Sequence, residues 1–182
     1  LDESYNPSII TVPGADHPTI QSAIDSAGDG ALIVVSPGTY YESPIIYKNI
    51  KLQGLGAHDT VIDSRFFLSY KNDWLARLNG IDFDGPELVP PDQVKEISQG
   101  QVVTVVAKAG AFNAAFRPQL DGFTITGARG EDGGGVYVHA HGRYLIISNN
   151  IIRSNGGGFG GGITIGKAYV GDNFNDNIRI HH

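Results

Sequence analysis

The chain has 182 residues, 25 of them glycine, with 41% hydrophobic residues, no cysteine and a formal net charge of -6 at pH 7. That length suits one domain with a sizeable core. The acidic balance and the lack of basic runs argue against nucleic acid and anionic membrane surfaces, which demand clustered Lys and Arg, and without a long apolar run there is no candidate for membrane insertion.

No methionine occurs anywhere, so LDESYNPSII is not a translation start, and the reading is a removed leader or a chain cut from a longer one. In DHPTIQSAIDSAGDG, Ile20, Ala23, Ile24 and Ala27 fall at helical spacing, with Asp16 or Thr19 to cap the helix and Gly28 to stop it. The next stretch alternates brief β-branched runs with turns. The runs are Ile33 to Val35, Ile45 to Ile46, Ile50 to Leu52 and Val61 to Ile62; the turns are Pro37-Gly38, Lys48-Asn49 and Gly54 to Asp59. Residues 65–101 break this rhythm and read as one long loop insertion, partly packed by Phe66, Phe67, Trp74 and Leu78. Strands resume at QVVTVVAKAG.

The later strands repeat. LDGFTITG, YLIISNN and DNIRIHH superimpose through Phe123, Leu145 and Ile178, while GGGVYV and GGGITI superimpose through Val136 and Ile163. A fixed inner pattern with elastic loops suits a solenoid whose coils stack through parallel ladders. It puts Val136, Val138, Ile163 and Ile165 inside and Tyr137, His139, Thr164 and Lys167 outside. Asn149-Asn150 suits a bend, because Asn tolerates left-handed geometry and its amide can bond the same residue type one turn up.

HPTIQSAIDSAGDGALIVVSPGTYYE, IKLQGLGAHDTVID and LIISNNIIRSNGGGFGGGITI resemble the capping helix and successive turns of the pectin-lyase-like superfamily, and lie on both sides of the insertion. The resemblance implies an all-β fold, a right-handed parallel β-helix with a short N-terminal capping α-helix and one long loop insertion (65–101), as a single domain over 1–182. It also implies an extracellular or cell-surface location. The coil stops in mid-turn at NIRIHH, so the reading is a domain incomplete at its C-terminus, whose last coil meets a continuation of the same β-helix or a neighbouring subunit. The superfamily holds lyases, hydrolases, tailspikes, adhesins and noncatalytic modules, so the fold alone does not assign an activity.

Within this segment the sequence offers no convergent catalytic set. The preferred expectation is a rigid scaffold module that contacts polysaccharide. The alternative is the front of a polysaccharide lyase or glycoside hydrolase, or the carrier segment of a larger enzyme. Tyr137, His139, Tyr169 and Trp74 are the candidate carbohydrate contacts, as flat rings exposed along the stacked strands. His139 and His141, two apart on one strand face, could ligate a transition metal, and Asp172, Asn173, Asn175 and Asp176 in VGDNFNDN could hold Ca²⁺; no other cofactor is expected. Asp82 with Asp84, or Asp121 with Asp132, are hydrolase pairs by spacing alone.

Overall fold

The computed structural model describes residues 6–83, 99–129, 134–158, 160–166 and 174–182. The chain runs β1 (Ile9–Val12), α1 (Ile20–Ser26), β2 (Leu32–Val35), β3 (Gly38–Tyr40), β4 (Ile45–Ile46), β5 (Lys51–Gly54), β6 (Thr60–Asp63), α2 (Phe67–Gly80), β7 (Val103–Val105), β8 (Gln119–Asp121), β9 (Thr124–Thr126), β10 (Val136–Val138), β11 (Ile146–Ser148), β12 (Ile151–Ile152), β13 (Ile163–Ile165) and β14 (Arg179–His181). These strands form three parallel sheets: a six-stranded one ordered β1-β2-β5-β8-β11-β14, and two four-stranded ones ordered β13-β10-β7-β4 and β12-β9-β6-β3. From β2 onward the chain visits the three in strict rotation, so each circuit lays one new strand on every sheet.

Register explains the core. In the six-stranded sheet Ile10, Ile33, Leu52, Leu120, Ile147 and Ile180 lie one above another. In the second sheet Val136 sits between Val103 and Ile163, as the sequence predicts; in the third, Ile62, Ile125 and Ile152 are stacked. Most of these side chains are buried, and each one fully buried contributes about 1.5–3 kcal/mol. The exception is the last coil, where Ile165 and Ile180 are 44% and 54% exposed and Ile147, Ile152, Ile163 and Ile180 border an open hollow of about 450 Å³.

The predicted alignment of LDGFTITG is corrected by five residues. Leu120, not Phe123, pairs with the YLIISNN strand, because Gly122 at φ 78° bends the chain and sends Thr124–Thr126 into the next sheet. Gly54 and Gly122 meet at this corner in successive coils, and a Cβ on either would lie 2.5 Å from the other's carbonyl oxygen. Any larger residue at Gly122 adds left-handed strain to that clash.

Asn149 adopts the expected left-handed conformation, φ 53°. Asn150 bonds backbone in the coil above rather than a like residue: its Oδ1 accepts from the Phe123 amide at 2.9 Å and its Nδ2 donates to the Leu120 carbonyl at 2.8 Å. Asn155 does the same for the Ala128 amide and the Ile125 carbonyl. These amides satisfy backbone groups that a bend removes from the ladder.

Thr19 caps α1 in a reciprocal capping box with Ser22, and Ile20, Ala23, Ile24 and Ala27 are buried as their spacing predicts. The insertion is where the structure departs most from the sequence reading. Its first half is not loop but a 14-residue helix, α2. Phe67, Trp74 and Leu78 face the coil and, with Ile45, Ile81, Phe83, Val106, Tyr137 and Ala140, form a second apolar cluster on the outer side of the β4-β7-β10-β13 sheet. Phe66 points away and is 53% exposed.

Candidate functional site

Tyr137 and His139 lie on the outward register, but α2 and its flanking residues cover that side. Tyr137 is 0%, His139 1% and Trp74 5% exposed, so none of them offers the open ring face expected for a sugar; for Tyr137 and Trp74 their place in the second cluster is the reason. The imidazole of His139 stacks on Tyr137, ring centroids 5.8 Å apart. The strand ends at Val138, and Ala140 and His141 both take positive φ, so His141 does not continue the face of His139. It stacks instead on Phe174 at 4.5 Å.

Of the expected Ca²⁺ loop, Asp172 and Asn173 lie outside the described residues, as do Tyr169 and Lys167. The other two members hold neighbouring coils together. The Asn175 Oδ1 accepts from the Gly142 amide at 2.9 Å, and Asp176 pairs with Arg143 at 2.5 Å, which holds the Asp176 carboxyl below its ordinary range. Among the described residues no three His, Cys, Asp or Glu side chains converge as a metal site. Asp82 pairs with Lys108 at 2.6 Å; Asp84 and Asp132 are not described.

Two surfaces gather polar chemistry. The first is the outer face of the six-stranded sheet. Register places Gln53, Asp121, Ser148 and His181 in one row and Lys51, Gln119, Ile146 and Arg179 in the next. Side chains tie the rows together: the Asp121 Oδ1 accepts from Ser148 Oγ at 2.6 Å and Asn149 Nδ2 at 2.7 Å, and Gln119 Nε2 donates to Ser148 Oγ at 3.0 Å. Within each row successive side chains are spaced ~4.8 Å along the stack.

The second is a cavity of about 190 Å³ between α2, the β3–β4 connection and the start of α1, lined by Thr19, Gln21, Tyr41, Glu42, Ser43, Tyr70, Asp73, Trp74 and Arg77. Its walls are fixed by hydrogen bonds. Trp74 Nε1 donates to the Ser43 carbonyl at 3.0 Å, Tyr70 Oη and Ser43 Oγ are 3.1 Å apart, and Phe67 meets the rings of Tyr70 and Trp74 edge-on. The Gln21 side chain accepts from the Ile45 amide at 2.7 Å. On its far side Arg77 pairs with Asp25, beyond which a second hollow lies beside Tyr47 and Ile81. Sequence reading missed this site because it treated 65–101 as loop, although Phe67, Trp74 and Leu78 are spaced by seven and four, as on one helix face.

Glu42 is the half-buried carboxyl of this site. Burial pushes its pKa up, against the opposing pull of the Ile20 and Gln21 amides, each donating at 3.0 Å, and of Arg77. A raised folded value means the native state holds the proton more tightly than the unfolded chain. Glu42 therefore adds stability that is complete below the ordinary glutamate value of 4.5 and is lost as pH rises through the raised one. Melting temperature followed from mildly acid to neutral pH should fall in the wild type relative to Glu42→Gln, and parallel curves would show that the burial effect is absent.

Among the described residues no helix is long and apolar enough to cross a membrane. No protein-family model matches the chain, and no curated protein matches it in sequence.

Proposed function

We propose that the chain is a right-handed parallel β-helix of the pectin-lyase-like kind, serving as a rigid scaffold module of a secreted or cell-surface protein and contacting polysaccharide along the outer face of its six-stranded sheet. The observation that carries this reading is the in-register polar ladder of Gln119, Asp121, Ser148 and Asn149, whose side chains are already held by one another and so lose little freedom when a ligand docks. The rotation of the strands among three parallel sheets supports the coil, and parallel crossovers are almost always right-handed. The exposed Ile165 and Ile180 support the idea that another coil, from the same chain or a neighbouring subunit, covers the open end.

Retention of the protein on immobilised neutral and acidic polysaccharides tests the contact. One class should retain it, and Asp121→Ala with Asn149→Ala should weaken that retention about tenfold, the scale of one or two lost hydrogen bonds. Unchanged retention in the double variant, or none on any polysaccharide, overturns the reading. Release of cleaved ends from polygalacturonate, with or without Ca²⁺, would replace it with the lyase or hydrolase alternative.

A further inference from the structure

We propose that the cavity between α2 and the coil binds a compact organic cation, of the quaternary ammonium or methylated amine class. This does not rest on the polysaccharide reading, which concerns the six-stranded sheet.

Three observations converge. The first is aromatic lining: the exposed Tyr41 and the half-buried Tyr70 come from two different segments, with the largely buried Trp74 part of the wall, and Tyr70 and Trp74 are locked onto Ser43 before any ligand arrives. Aromatic faces attract a cation through their ring quadrupole, and a set of them is the usual recognition device for ammonium groups too bulky to be held by hydrogen bonds alone. Tyr41 already shows this affinity within the chain, carrying the Arg65 guanidinium 5.7 Å from its centroid. The second is charge. Glu42 and Asp73 line the cavity against one guanidinium, Arg77, and that group is paired with Asp25 just outside. The Arg65 over Tyr41 is likewise paired, with Asp63. Counting these groups, four carboxyls face two guanidiniums, so the site carries an acidic excess that an anion would meet as repulsion and a cation would relieve. The third is size: at about 190 Å³ the cavity lies below the range of about 300–1,000 Å³ usual for larger organic ligands and suits a headgroup such as choline.

The chain contains a single tryptophan, and it is Trp74 in the cavity wall, so intrinsic fluorescence reports this site alone. Choline is titrated against 3,3-dimethylbutan-1-ol, its uncharged isostere. Choline should give a saturable change in Trp74 emission, with the isostere about tenfold weaker or more. Tyr41→Ala and Asp73→Asn change exposed residues and should each raise the choline Kd about three- to fivefold, with unaltered circular dichroism. Equal affinity for charged and uncharged probes would show a plain apolar crevice and overturn the proposal. So would the absence of a saturable choline response, or a response insensitive to both substitutions.

Discussion

Val136→Asp is expected to remove about 4.5–8 kcal/mol of stability, a large share of what an ordinary domain has. Val136 is 0% exposed, and its vertical neighbours are Val103 on one side and Ile163 on the other. An aspartate there has no cationic partner in the column and removes the apolar side chain that packs between the layers of Val103 and Ile163. Burying an unpaired charge costs about 3–5 kcal/mol, and the lost valine adds about 1.5–3 kcal/mol, against a total stability of about 5–15 kcal/mol for an ordinary domain. Ile163→Asp, one coil further on, should cost distinctly less, because Ile163 is only half-buried and has a ladder neighbour on one side alone. Urea unfolding of the two variants measures the difference. A Val136→Asp protein with a wild-type midpoint would mean that the stacking of like residues is not what holds the coils together.

That gradient from middle to end coil marks what the sequence could and could not reveal. The pairing of GGGVYV with GGGITI was legible because a triplet of glycines, two β-branched residues and a period of two leave one register that buries both apolar side chains. Leu120, Ile125 and Val136 each pair with a residue 27 positions later, yet the LDGFTITG match was misjudged because Gly122 divides what reads as a single apolar run into strands of two sheets. Periodicity counts residues and does not see a bend inside the count. The strands β1 and β3 were missed for a related reason: at four and three residues they carry too little pattern to stand out, and it is the ladder to β2 and to β6 that makes them strands. The capping helix was legible, with Thr19 one of its two candidate caps, since α1 carries its signals locally. The site was least legible. Outward residues were assumed to be wet, and an outward residue is exposed only where nothing else in the chain lies over it.

What lies over them is α2, and Trp74→Ala should detach it without dissolving the coil. Trp74 buries its ring against Phe67, donates to the Ser43 carbonyl and belongs to the second apolar cluster, which is separate from the columns inside the coil. Truncating a buried aromatic costs about 3–5 kcal/mol. The remaining anchors of α2 are Phe67 and Leu78, the partly buried Tyr70 and Leu75, and the Tyr70–Ser43 and Arg77–Asp25 contacts; its first turn has no side-chain cap, so a helix this short has little intrinsic stability to fall back on. The loss should therefore appear locally. Amide exchange in Phe67–Gly80 should accelerate by about a hundredfold or more, the equivalent of about 3 kcal/mol, while amides in β5, β8 and β11 keep their protection. Tyr137, no longer covered, should become accessible to solvent quenchers. Equal acceleration in helix and ladders would show that the two clusters unfold as one unit and that the insertion is an integral part of the coil rather than a cover laid upon it.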